Sequence, residues 1–145
     1  MNNALATQLN QVPLIFLAFA VFVSLCIGSF LNVCIWRIPR NISVSSPRRS
    51  FCPKCGNQLL WWENIPVLSW LMLMGKCRSC RTNISIRYPL IEMLTLVIGV
   101  YSVVYFGFTY NAILVFLLSS ALLVITMIDL EFKIIPNRIT FPGMV

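Results

Sequence analysis

The sequence predicts an all-α polytopic membrane protein with three transmembrane helices and a small cytoplasmic four-cysteine module of the zinc-ribbon kind. Three observations predict this class. Of the 145 residues, 59% are hydrophobic and only 10% are charged, which is too apolar for a water-soluble surface. Three apolar stretches each approach the ~20 residues that a helix needs to cross ~30 Å of hydrocarbon. Two C-x-x-C pairs lie together in the one long polar loop between the first two stretches.

The apolar stretches define the expected domain boundaries. The three transmembrane helices are expected at residues 12–35, 89–108 and 111–130. Residues 1–11 form a short N-terminus, residues 36–88 the loop with the cysteines, and residues 131–145 a tail. The first stretch does not read as a signal peptide, because no Lys or Arg precedes it and Arg37 and Arg40 follow it directly.

The positions of the basic residues predict the orientation in the membrane. Nine of the eleven Lys and Arg residues lie between Arg37 and Arg87, and the other two, Lys133 and Arg138, follow the third stretch. The positive-inside rule therefore places the loop and the tail in the cytoplasm and the N-terminus outside. One topology accounts for every basic residue, so the net charge of +7 indicates a membrane protein and no nucleic-acid partner is expected.

The segment from Leu59 to Met74 is apolar but short. It has the sequence LLWWENIPVLSWLMLM and is interrupted by Glu63 and Pro66. We expect an interfacial segment whose tryptophans lie at the headgroup boundary, where an indole N–H remains hydrated. The alternative is that the same residues form the apolar core of the cysteine module. The three tryptophans concerned are Trp61, Trp62 and Trp70.

The four cysteines of the loop form two knuckles separated by 21 residues, slightly more than is usual for a four-cysteine zinc site. The expected zinc ligands are Cys52, Cys55, Cys77 and Cys80. Four thiolates make a closed tetrahedral site with no open coordination position, so the metal is expected to be structural. Disulfides are the alternative, which a reducing cytoplasm disfavours. Cys26 and Cys34, in the first stretch, are expected to be inert apolar residues.

Three polar features lie within the apolar stretches. Asn32, close to the small residues Gly28 and Ser29, is expected to form an interhelical hydrogen bond, with a direct catalytic role as the alternative. Asp129 lies near the cytoplasmic end of the third stretch, where an ionisable group is costly and is a candidate functional residue. The alternatives for it are contact with headgroup water or pairing with a basic residue of the tail, Lys133 or Arg138.

Glu92 lies at a depth that matches Asp129, at the start of the second stretch. It is either a neighbour of Asp129 or a partner of Arg87 in the first turn of its own helix. Two adjacent carboxylates that share one proton can activate water and protonate a leaving amine, whereas one carboxylate cannot. The sequence contains no His, no G-x-S-x-G motif and no phosphate-binding glycine loop.

Six blocks of sequence run from Gly28 to Asn137, namely GSFLNVCIWRIPR, CPKCG, WWENIPVLSWL, GKCRSC, ISIRYPLIE and IDLEFKIIPN. In this order and spacing they resemble the bacterial prepilin peptidases. The resemblance implies an aspartic protease of the bacterial inner membrane that cuts the leader from type IV prepilins and from type II secretion pseudopilins. Many members of the family also methylate the new amino terminus with S-adenosylmethionine.

Carried over residue by residue, the metal cysteines of the family fall on the four loop cysteines and its first catalytic aspartate on Asp129. The second aspartate, in a Gly-x-Gly-Asp motif on a later helix, has no counterpart here. The expectation is an N-terminal portion with half of the active site, inactive unless the remaining helices are supplied in cis or in trans. The alternative is a membrane-anchored zinc module that acts as a scaffold. In either case the basic loop is expected to rest on anionic lipid headgroups.

Overall fold

A computed structural model describes residues 12–45 and 49–132. Its helices are α1 (Leu14–Arg37), α2 (Leu68–Met72), α3 (Arg87–Phe106) and α4 (Tyr110–Phe132), with 3₁₀ helices at Ile38–Arg40 and Trp61–Asn64. The described residues contain no β-strand longer than an isolated bridge. Helices α1, α3 and α4 are long and apolar enough to cross a membrane. The predicted fold class is therefore confirmed.

Helix α1 ends at Arg37 and is followed by one 3₁₀ turn that contains Pro39. Asn41 then adopts the left-handed conformation (φ 55°), which turns the chain away from the helix axis. The guanidinium of Arg37 closes the turn by donating hydrogen bonds to the carbonyl oxygens of Ser43 and Val44, both at 3.0 Å. The start of the polar loop is thus folded back against the end of α1.

Helices α1 and α3 pack closely because small residues face each other. A Cβ atom placed on Gly28 of α1 would lie 2.9 Å from the Cα atom of Glu92, and one placed on Gly99 of α3 would overlap Oγ of Ser24. Close approach of backbones is the usual basis of helix pairing in membranes. Asn32 makes the expected interhelical hydrogen bond, from Nδ2 to the carbonyl oxygen of Tyr88 at 3.0 Å.

Helix α4 packs against this pair along one stripe. Leu123, Val124, Met127 and Ile128 contact a small core formed by side chains of α1 and α3, namely Leu31, Ile35 and Ile91. Elsewhere on α4 only Ala112 and Ser120 are buried among the described residues. The three helices therefore comprise a tightly packed pair, α1 and α3, and a third helix that rests on it with little buried surface.

Candidate functional site

The first cysteine pair lies in a tight loop closed by backbone hydrogen bonds. The N–H of Cys52 donates to the carbonyl oxygen of Asn57, and the N–H of Gly56 donates to that of Cys52, both at 2.9 Å. An isolated antiparallel bridge between Phe51 and Gln58 flanks the loop. Gly56 has a φ of 70°, in the left-handed region that glycine adopts without steric cost. This geometry turns the thiols of Cys52 and Cys55 toward the same side.

The second pair repeats the first. The N–H of Cys77 donates to the carbonyl oxygen of Thr82 at 2.8 Å, and the N–H of Arg81 donates to that of Cys77 at 3.0 Å. Arg81 occupies the position that Gly56 holds in the first loop and has a φ of 57°. A residue with a Cβ atom is sterically disfavoured in this conformation, so the turn is imposed by the rest of the module.

The four thiols converge on one point. Their sulfur atoms all lie within 4.8 Å of one another, and those of Cys52 and Cys80 are 3.8 Å apart. A tetrahedral zinc site with Zn–S bonds of ~2.3 Å requires sulfur separations of ~3.8 Å, whereas a disulfide requires ~2.05 Å. All four cysteines are free. The cluster can hold a metal ion, and its donor set and spacing are consistent with zinc.

Local hydrogen bonds give the thiols of Cys80 and Cys55 different pKa values. A hydrogen bond with the Thr82 hydroxyl, at 3.4 Å, and one with its backbone lower the pKa of Cys80 to about 6. The backbone N–H of Asn57 lowers the pKa of Cys55, but desolvation and hydrogen bonds with the other three thiols outweigh it and raise that pKa to about 11. The Cys80 thiolate therefore forms readily, while Cys55 resists ionisation until a cation compensates for the added negative charge.

Glu63 joins the apolar segment to the second cysteine loop. It is 7% exposed, accepts a hydrogen bond from the N–H of Leu60 at 2.7 Å, and pairs with Nε of Arg78 at 2.8 Å. The guanidinium of Arg78 also lies 5.7 Å from the ring centroid of Trp62. Among the described residues this carboxylate is a structural link within the module.

The tryptophans of this segment do not all occupy the same environment, since one lies in the core of the module and another is exposed as an interfacial residue would be. Trp70 belongs to the interior of the module, because it packs on Gly75 and donates a hydrogen bond to the carbonyl oxygen of Ile84 at 3.1 Å. Trp61 is 81% exposed, as an interfacial residue would be. The segment as a whole is a 3₁₀ turn followed by the five-residue helix α2, so neither of its parts is long enough to cross a bilayer.

Glu92 holds the same segment against α3. Its Oε2 atom accepts a hydrogen bond from the N–H of Val67 at 2.7 Å, and the side chain is buried. Val67 has φ 61° and ψ −50°, and the N–H of Leu68 donates to the carbonyl oxygen of Pro66 at 2.6 Å. This is a γ-turn of the strained kind, rare for a β-branched residue. Nothing in the local sequence pattern predicts it.

The expected alternative of an ion pair between Glu92 and Arg87 is wrong, because Arg87 pairs with Glu131 of α4. The other carboxylate oxygen of Glu131 lies 4.0 Å from Nη2 of Arg40. The Arg40 guanidinium in turn covers the rings of Trp36 and Phe132, at 4.9 and 5.0 Å. These contacts join the ends of all three long helices on the side of the cysteine module.

Asp129 lies one turn before the end of α4 and is half-buried. At 100° per residue its side chain is ~200° around the helix from Glu131, which shares the stripe of Met127 and Ile128 that packs on α1 and α3. Helix geometry thus directs the Asp129 side chain away from the stripe that packs on α1 and α3. The Asp129 carboxylate has no hydrogen bond or ion pair with any described residue, and Lys133 and Arg138 lie outside the described part.

A cavity of about 430 Å³ lies between the helix ends and the module. Its polar lining includes all three glutamates together with Asn32, Arg37 and Arg87. Asp129 is not among the described residues that line it.

Comparison with known proteins gives consistent results. The family described as "Bacterial Peptidase A24 N-terminal domain" matches residues 22–106. Three curated relatives are each named prepilin leader peptidase/N-methyltransferase. The protein of Myxococcus xanthus (strain DK1622) is 46% identical over 90% of this chain and 38% of its own length, and that of Stutzerimonas stutzeri is 36% identical over 90% and 53%. That of Pseudomonas aeruginosa is 34% identical over 95% and 55%.

The chain thus spans 38% to 55% of the length of these relatives. No solved structure matched it. The matched region includes the four clustered cysteines and the two glutamates, Glu63 and Glu92, that anchor the intervening segment. Since this region is more than half of the chain and the relatives align with most of it, the chain belongs to the bacterial prepilin peptidase family, peptidase A24, and carries the N-terminal domain of that family.

Proposed function

We propose that this chain provides one catalytic carboxylate, Asp129, of a membrane-embedded aspartic endopeptidase that cleaves the leader of type IV prepilins or pseudopilins. The observation that carries the proposal is a difference among its four acidic residues in whether their carboxylates have partners. Glu63, Glu92 and Glu131 are each engaged by a hydrogen bond or an ion pair. Asp129 alone has no partner in the described part of the chain.

The chemistry requires a second carboxylate. In an aspartic peptidase the ionised carboxylate takes a proton from the water that attacks the scissile carbonyl carbon, and the protonated carboxyl group gives its proton to the leaving amine. Because Asp129 faces away from α3, Glu92 is a poor second carboxylate. We expect the partner to come from polypeptide that packs on the outer side of α4, supplied in cis or in trans.

The proposed setting of this chemistry is the bacterial inner membrane. The N-terminus lies outside and the cysteine loop lies in the cytoplasm, where the basic residues contact anionic headgroups. The cysteines bind one structural zinc ion. N-methylation of the new amino terminus, an activity included in the names of the relatives, would use S-adenosylmethionine as the methyl donor.

Cleavage by a hybrid polypeptide tests the proposal. Residues 1–145 are joined to the remaining region of the M. xanthus relative, reconstituted in liposomes and supplied with a prepilin, and the cleaved product is measured by mass spectrometry. We expect Asp129→Asn to lower kcat by on the order of 10³-fold or more, with metal content and thermal midpoint unchanged. The 145-residue chain alone should not cleave.

Two results would count against the proposal. Full activity of the Asp129→Asn hybrid would mean that this carboxylate takes no part in the reaction, leaving the chain the role of a membrane-anchored scaffold. Cleavage by the 145-residue chain alone would mean that no second carboxylate from elsewhere is needed.

A further inference from the structure

We infer that Glu131 is a positioning residue that sets the rotation of α4 about its axis, and thereby the direction in which Asp129 presents its carboxylate. The inference rests on the proposed function, because it is the catalytic role of Asp129 that gives the rotation of α4 a chemical consequence. Glu131 itself faces the other helices and does not approach the reacting atoms.

The two carboxylates are coupled by helix geometry. They are two residues apart, on nearly opposite sides of α4, so any rotation that moves Glu131 off its partners moves Asp129 by a comparable amount. A side chain of α4 extends ~5 Å from the helix axis, so a rotation of ~20° displaces the Asp129 carboxylate by ~2 Å. Displacement of a catalytic group by ~1 Å can reduce a rate by ~10²-fold.

The apolar packing of α4 does not fix this rotation well. Its stripe of Leu123, Val124, Met127 and Ile128 is only partly buried, whereas α1 and α3 pack through glycine contacts that tolerate little change. Apolar contacts are not directional, and an unbranched Met side chain adapts to altered geometry. The end of α4 that carries Asp129 therefore needs a directional contact.

The ion pairs of Glu131 provide that contact with both neighbouring helices. Arg87 is the first residue of α3, and its Nη1 atom donates a hydrogen bond to Oε2 of Glu131. Arg40 ends the 3₁₀ turn after α1, lies 4.0 Å from Oε1, and stacks on Phe132, the last residue of α4. A hydrogen-bonded arginine–carboxylate pair constrains orientation as well as distance.

Hydrogen exchange measures the structural part of the inference without any activity. The 145-residue chain in lipid nanodiscs is compared with its Glu131→Gln and Glu63→Gln variants by mass spectrometry. Glu63→Gln is the matched control, since it removes the charge from another glutamate that pairs with an arginine, in the module. We expect Glu131→Gln to speed exchange of amides 128–132 by about tenfold, and Glu63→Gln to leave them unchanged. Equal exchange in Glu131→Gln and the unmodified chain, or equal acceleration by Glu63→Gln, would overturn the inference.

Kinetics of the hybrid polypeptide test the functional part. We expect Glu131→Gln to lower kcat by roughly 10- to 100-fold with little change in KM. Arg87→Gln should also lower kcat, and the double variant should lose no more than Glu131→Gln alone, because that substitution already removes the ion pair with Arg87. Additive losses, or an unchanged kcat in Glu131→Gln, would refute the positioning role. Failure of the proposed function is a separate result, namely full activity of Asp129→Asn.

Discussion

Removal of the metal should unfold the cysteine module while leaving the helix pair intact. Apart from the backbone hydrogen bonds that close its turns, few contacts hold the module together. They include two isolated bridges, the hydrogen bond from Asn57 to Ser79 at 2.6 Å, the Glu63–Arg78 pair and the packing of Trp70. Each hydrogen bond stabilises by a net ~1 kcal/mol, so together they contribute a few kcal/mol. Binding of a structural zinc ion contributes ~10–16 kcal/mol. Metal binding therefore stabilises the module more than all of these contacts combined.

Metal analysis and trypsin digestion measure this effect. The purified chain should contain one zinc per polypeptide, with four sulfur ligands at ~2.3 Å by X-ray absorption. A chelator, or Cys55→Ser, should release the metal and open the module to cleavage after Lys54 and Arg81, both of which are exposed. Cys26→Ser is the matched control, because Cys26 lies in α1 outside the cluster. Two disulfides in the purified protein, or unchanged digestion after the metal is removed, would refute the reasoning.

Three further substitutions test the packing described above, each by the thermal unfolding midpoint in detergent. Gly28→Ala should destabilise by ~1–3 kcal/mol, because the new Cβ atom would lie 2.9 Å from the backbone of Glu92 and force α1 from α3; an unchanged midpoint would mean that the helices are not in close contact. Gly56→Ala should cost ~1 kcal/mol, since its surroundings are open and only the positive φ opposes a side chain. Trp70→Phe should cost ~1–3 kcal/mol by leaving the carbonyl oxygen of Ile84 unpaired, and a neutral result would place the indole N–H in water.

The predictions from sequence that are confirmed rest on strong local constraints. The length of a membrane helix is set by the bilayer, so three apolar stretches were enough to identify α1, α3 and α4. The spacing of Cys52, Cys55, Cys77 and Cys80 was enough to identify a four-thiol cluster that can hold a metal ion, because two short turns must each direct two thiols to one point.

The partners of the charged residues could not be predicted in the same way. Proximity in sequence made Arg87 one of two candidate neighbours of Glu92, the other being Asp129, but Arg87 pairs with Glu131, which is 44 residues away. The hydrogen bond from Val67 to Glu92 likewise joins residues 25 apart through a strained turn. Such contacts depend on how the helices are placed relative to each other, and the hydrophobic pattern of the sequence does not predict that placement.

The position of Asp129 around the axis of α4, relative to Glu131, could have been predicted from the sequence. Asp129 and Glu131 are two residues apart on a helix, and the angle between them follows from helix geometry alone. What the sequence lacked was the identity of the inward stripe, because α4 is apolar on every side. The contacts of Met127 and Ile128 supply that information.

The close pairing of α1 with α3 has a consequence for biogenesis. The ribosome completes α1 before the loop is made, and α3 emerges only after the loop, so the glycine contacts form once the intervening polypeptide has been brought back on itself. A folded, metal-loaded module already restricts most of the loop, so less conformational entropy is lost when α1 and α3 are brought together. Zinc supply during translation is therefore expected to govern how fast these two helices associate in the membrane, and metal-starved cells should accumulate chains whose spans are inserted but unpaired.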